Sequence, residues 1–252
     1  MKSKILLLAI FSTIFISYAQ DMKTGYLDAT SQVMNTLQEH ILSTNLISMT
    51  IDDEDKSNVV LSEAKGSPFL NQKFESGTVK IISSNDSFGF QMRYNIYSDE
   101  IEIQDLEKNK LIPVKKESDY VCYIGKDTFK YFEYTDSNAE VTNGYFVELV
   151  ANKASLFLNY KSKFHPAQPA SSPLLQDKPA RFFTSKTYYL FYKEELKLIS
   201  LKSKKFLESF GILKNQIDSF MKSNKLKPIN EADLIKIINY FNSLLVEDAS
   251  NN

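Results

Sequence analysis

Every second residue of Phe88-Gly-Phe-Gln-Met-Arg-Tyr-Asn-Ile-Tyr97 is large and apolar: Phe88, Phe90, Met92, Tyr94 and Ile96 alternate with small or polar neighbours. A helix cannot gather such a set on one side. A strand can, because residues i, i+2 and i+4 share a face. The run predicts a half-buried strand with its even positions turned inward. Asn85-Asp86 before it and Ser98-Asp99-Glu100 after it are turn formers. Val79 and Ile81, behind Gly77, and then Ile101 and Ile103 carry the pattern into the flanking strands. The three make an antiparallel meander.

The same punctuation continues. Leu111–Val114, Tyr120–Ile124, Thr128–Tyr134, Gly144–Val150 and Ala154–Phe164 read as strands, parted by Gly125-Lys-Asp127, Asp136-Ser-Asn138 and Asn152-Lys153. In the last, Leu156, Leu158, Tyr160 and Phe164 occupy one face, and Asn159, Lys161 and Lys163 the other. His165–Pro179 holds four of the seven prolines, which excludes a helix or a central strand and leaves a surface crossover or a boundary. Thr187–Tyr192 and Leu196–Leu201 flank Lys193-Glu-Glu195 as a hairpin.

Beyond residue 201 the period lengthens. Ser203 can cap a helix over Lys204–Phe210, with Gly211 past its end. Leu213, Ile217, Phe220 and Met221 mark a second helix ending near Asn224. Asn230 caps a third, Glu231–Leu245, with Glu231 and Asp233 in its first turn and Leu234, Ile237, Ile238, Phe241 and Leu245 on its apolar face. The fold class expected is therefore α+β: an antiparallel β-sandwich or curved sheet over about 67–201, then a three-helix segment over 202–246 packed on it, and a frayed polar tail at 247–252.

Ahead of the sheet, residues 20–66 carry one amphipathic helix near Thr30–Leu42 and a polar linker. The chain opens on Lys2 and Lys4, an uncharged run Ile5–Ile16, and Ser17-Tyr-Ala19. That is the order of a secretory signal peptide cleaved after Ala19. As a helix the apolar run spans roughly 18 Å against the ~30 Å of a bilayer core, so no transmembrane span is expected. The expected location is the periplasm, with full secretion as the alternative. Losing Lys2 and Lys4 takes basic residues from 30 to 28 against 31 acids, which offers no field for nucleic acid. Cys122 has no partner with which to form a disulfide.

Motifs that carry chemistry fail on inspection. The acidic run Asp52–Asn58 misses the calcium-loop pattern, with Asn58 where Gly belongs and Ala64 where Glu belongs. His40 and His165 lie far apart and outside any metal-ligand spacing. There is no Gly-x-Ser-x-Gly elbow and no glycine-rich phosphate loop. Asp99-Glu100 and Glu194-Glu195 fall at presumed turns, where carboxylates stay wet. No catalytic, cofactor or metal residue is therefore predicted. Two features remain. Tyr120, Tyr123, Phe129, Tyr131, Phe132 and Tyr134 crowd one stretch and are the candidate ligand contacts, weighed against simple core filling. Lys222, Lys225 and Lys227 form a basic patch that offsets a helix dipole or touches an anionic membrane surface.

Gly66-Ser-Pro-Phe-Leu-Asn-Gln-Lys-Phe74, Arg93–Glu102 and the closing Lys225-Leu-Lys, Asp233-Leu-Ile and Tyr240-Phe-Asn-Ser-Leu244 resemble an uncharacterised group of exported proteins from Bacteroidetes-type bacteria, over about Gly66–Leu245. The resemblance implies export and transfers no functional residue. The functions expected are a non-enzymatic exported protein that binds an envelope partner, or a periplasmic carrier of a small apolar ligand or lipid enclosed by the aromatic strands.

Overall fold

Alternation becomes register in the structure, a computed structural model that describes residues 64–105, 110–170 and 176–250. The signal segment, the helix near Thr30–Leu42, His40, the acidic run and the last two residues lie outside the described residues. The strands are β1 (Glu75–Ile81), β2 (Ser87–Asn95), β3 (Glu100–Asp105), β4 (Lys110–Pro113), β5 (Tyr120–Ile124), β6 (Asp127–Thr135), β7 (Val141–Val150), β8 (Ser155–His165), β9 (Arg181–Tyr192) and β10 (Glu195–Leu198). Met92, Tyr94 and Ile96 are buried, as their period requires.

All ten strands join one open antiparallel sheet in the order β10-β9-β8-β7-β6-β5-β1-β2-β3-β4. Two meanders meet where β5 returns beside β1. A sandwich needs two sheets, and the described strands form one. The sheet curls strongly. Three strands separate β2 from β7, about 19 Å if flat, yet the rings of Tyr94 and Tyr145 lie 6.1 Å apart. Tyr97, just past β2, reaches Phe182 of β9 at 5.5 Å.

The proline-rich stretch is neither crossover nor boundary. It joins neighbouring strands paired from Ser155↔Phe191 to His165↔Arg181, and Gln168 and Lys178 exchange backbone hydrogen bonds of 2.8 Å within it. It is the far end of a long hairpin. Pro166, Pro169 and Pro179 suit that place, since few N–H groups there are needed by a ladder; residues 171–175 lie outside the described residues.

Helices α1 (Ser203–Glu208), α2 (Lys214–Ser223) and α3 (Glu231–Ser250) follow, with a 3₁₀ turn at Gly211–Leu213. Lys202, not Ser203, occupies the N-cap position of α1 and makes no side-chain cap. Asn230 caps α3 as expected, its Oδ1 accepting the Asp233 N–H at 3.1 Å. The α3 backbone runs to Ser250, past the end expected at Leu245; propagation gains one hydrogen bond per residue and no Gly or Pro stops it.

One hydrophobic cluster combines the inner face of the sheet with Phe206, Ile217, Met221, Leu234, Ile238 and Phe241 of the helices. Asn242 of α3, 3% exposed, fastens the seam: its Oδ1 accepts the Ala154 N–H and its Nδ2 donates to the Ala154 carbonyl, both at 2.8 Å. A second, aromatic cluster occupies the opposite face of the sheet, built on Tyr134, Phe146, Phe157 and Tyr189. At the other end, Arg93 binds Glu102 at 2.7 Å and lies between the rings of Phe69 and Phe74, which pins the Gly66–Phe74 segment along β2.

Candidate functional site

β7 and β8 pair at one end only. Val147 faces Leu158, Glu148 faces Phe157, and Val150 faces Leu156 across an irregularity; from Val141 to Phe146 nothing on β7 pairs with β8. β8 remains paired with β9 along its whole length, and β7 with β6 from Val141 to Val147. The sheet is therefore split between two strands that stay attached to their other neighbours.

A broken ladder leaves backbone groups that need partners. At Tyr145 two side chains provide them. The N–H donates to Asp99 Oδ1 at 3.2 Å, and the carbonyl accepts from Asn159 Nδ2 at 3.0 Å. Gly144 makes room: a Cβ there would stand 3.3 Å from Asp99 Oδ2 and 3.5 Å from Asn159 Nδ2.

Asp99 arrives from the β2–β3 turn with φ of 53°, a left-handed conformation that Asp tolerates better than most residues. This turns its carboxylate inward, where Oδ1 also accepts the Tyr94 hydroxyl at 2.6 Å. The turn tip is partly shielded rather than wholly wet: the Asp99 side chain keeps 29% of its surface in solvent. Burial raises the Asp99 carboxyl above its ordinary range, against the lowering pull of Tyr94, of Lys116 and of the Tyr145 N–H. Lys116 Nζ stands 4.0 Å from Oδ2. Burial drives the Tyr94 and Tyr145 phenols far upward, with Asp99 adding to both.

Along the β8 side of the split, Asn159 is 2% exposed, and its Oδ1 is buried without a hydrogen-bond partner, as is Ser162 Oγ. Lys161, between them, stands 4.0 Å from Asp136 and 5.6 Å above the Tyr134 ring. The split thus offers a carboxyl and an amide oxygen, with lysines at its margin; Ser162, three residues from Asn159 on β8, points to the opposite face of the strand. Buried acceptors of this kind call for N–H or O–H donors. The phenols are pushed away from ionisation, the opposite of an activated nucleophile. Binding is the chemistry the arrangement supports. Among the described residues no three His, Cys, Asp or Glu gather as a metal-ligand group.

The six candidate aromatic residues divide between two faces. Phe129 is buried in the inner cluster with Tyr120, and Tyr131 packs against that cluster. Tyr134 is buried in the opposite cluster, with Phe132 against it, while Tyr123 is exposed. Tyr131 and Tyr134 border the split; the Tyr131 ring lies 5.2 Å from that of Tyr145, and Tyr134 Cε1 is 3.4 Å from the Gly144 Cβ position. Asp99, Asn159 and Ser162 were not anticipated. One signal was available: Tyr94 faces inward in the alternation, and a buried Tyr hydroxyl needs a partner, which the next turn supplies. His165 is exposed at the end of β8, opposite Arg181. Shallow grooves flank the stacked rings of Phe220 and Tyr240, 3.9 Å apart on α2 and α3.

Compared with protein-family models, with curated proteins and with solved structures, the chain matches none.

Proposed function

We propose that this is an exported, non-enzymatic protein that binds an envelope partner by admitting an extended segment of that partner at the split between β7 and β8. One observation carries the reading: the ladder stops at Val147–Leu158, and just beyond it the Asn159 amide oxygen is buried with no partner. An added strand satisfies backbone edges by pairing with them, and side-chain niches beside the edge set which strand fits. The two outer edges are poorer candidates. β4 carries Lys110 and Pro113, and β10 is four residues long with Glu195 and Lys197; short, charged or proline-bearing edges resist pairing.

The lysine-led apolar opening and the resemblance to exported proteins support delivery out of the cytoplasm. No helix among the described residues is long and apolar enough to cross a membrane. A carrier of apolar ligands would need room inside the sheet, and there the rings of Tyr94, Phe129, Tyr131 and Tyr145 pack against one another at 5.1 to 6.1 Å.

The test places a photo-crosslinking residue at position 143 or 162, flanking the split, and at exposed position 123 as control, in cells that export the protein. A specific adduct with one envelope protein from positions 143 and 162, absent from 123, is expected. No adduct from either flank, or the same adducts from the control, would remove the support. Lipid retained through purification and seen by native mass spectrometry would favour the carrier.

A further inference from the structure

The lysines of the chain are not evenly spread. Between Lys202 and Asn230 stand seven lysines against only Glu208 and Asp218, in a chain whose formal net charge is −1. All seven are exposed. Only Lys222 meets a carboxylate, Asp218 at 2.6 Å; Lys202, Lys204, Lys205, Lys214, Lys225 and Lys227 have no ion-pair partner among the described residues. Helix stability does not explain the set. A cation helps the last turn of a helix, as Lys222 does, but Lys204 and Lys214 stand in first turns, where the dipole disfavours positive charge.

The same stretch carries two large apolar side chains in water. Ile212, in the 3₁₀ turn before α2, is 92% exposed, and Ile229, in the loop after it, is 72% exposed. They sit at opposite ends of a helix about 15 Å long. Leu226 and Pro228 beside Ile229 turn inward, so the loop is anchored while its isoleucine projects. Exposed isoleucines bracketing a helix amid unpaired lysines is the pattern of a surface that inserts apolar tips below a layer of anionic headgroups.

We propose that Lys202–Asn230 docks on an anionic bilayer surface, with the lysines against the headgroups and Ile212 and Ile229 inserted beneath them. This surface is separate from the split between β7 and β8 and stands or falls without it. The chain contains no tryptophan, so Ile229→Trp places a single fluorophore at the tip. Vesicles of phosphatidylcholine with phosphatidylglycerol should blue-shift its emission, brominated acyl chains should quench it, and pure phosphatidylcholine should do neither.

In flotation with the full exported chain, Lys225→Glu with Lys227→Glu should weaken binding to the anionic vesicles by about tenfold or more, at about fivefold per lysine. Ile212→Ser with Ile229→Ser should weaken it by at least about tenfold. Exposure of these side chains protects the fold, and unchanged circular dichroism verifies it. No preference for anionic vesicles would overturn the proposal. So would unquenched Trp emission, or binding that salt abolishes and the isoleucine substitutions leave intact, because each describes a surface for soluble polyanions instead.

Discussion

Replacing Asn242 by leucine and, separately, by aspartate dissects the seam between α3 and the sheet. Asn242 bonds both backbone groups of Ala154, which is fully buried, and Nδ2 also donates to the Ile238 carbonyl at 3.1 Å. Asn242→Leu keeps the volume and leaves the Ala154 N–H and carbonyl bare. Each orphaned buried group costs about 1–3 kcal/mol, and the extra apolar surface returns about 1 kcal/mol. The net loss centres near 3 kcal/mol, a large part of the about 5–15 kcal/mol that holds a domain together. Asn242→Asp keeps the acceptor for Ala154 N–H but sets a carboxylate against the Ala154 carbonyl. Burial and that carbonyl both favour the protonated form, so the folded-state pKa lies above the unfolded one. Such a group costs nothing below its unfolded pKa, and the penalty grows as pH rises through the folded pKa. The aspartate variant should therefore approach the parent protein on acidification, while the leucine variant keeps its deficit. Urea unfolding across pH measures both. A leucine loss below about 1 kcal/mol, or an aspartate deficit that does not shrink with falling pH, would refute the seam as described.

The β9–β10 hairpin turns on Lys193 and Glu194, both at positive φ (53° and 63°), a turn that favours Asn-Gly. Lys193→Asn with Glu194→Gly should raise the urea midpoint, with a gain of about 1–2 kcal/mol; an unchanged midpoint would mean the turn is unstrained. Burial raises the Asp99 carboxyl, so its ionised form weighs against the fold: that unfavourable contribution is absent at low pH and develops as pH rises through the folded pKa. Asp99→Asn should remove this pH-dependent component from the stability profile, and a profile parallel to the parent's would contradict it. Burial pushes the Cys122 thiol up to about 12, so a thiol reagent should label the protein only as fast as it unfolds; labelling of the folded protein at the rate of a free thiol would show that Cys122 is accessible.

Local rules made most of the elements legible. Met92, Tyr94 and Ile96 announced β2 through their spacing, and Asn230 with Glu231 and Asp233 announced the start of α3, because a side-chain period and a cap depend on residues a few positions apart. The aromatic stretch was legible as strand, but the face that each ring takes was not. Tyr131 and Phe132 are neighbours in sequence and so point to opposite faces, which no count of aromatic residues can reveal.

Pairing across distance was settled by packing. β5 returns to β1, His165–Pro179 closes a hairpin, and β7 parts from β8, each decided by which surfaces bury most when the sheet curls. Asp99 shows the difference most clearly. Its own segment reads as a solvated turn, and only the curl carries that turn across the sheet to the bare N–H of Tyr145. Strand, turn and cap are chosen within a few residues of chain, whereas the partner of an edge is chosen by contacts tens of residues away, which no local pattern encodes.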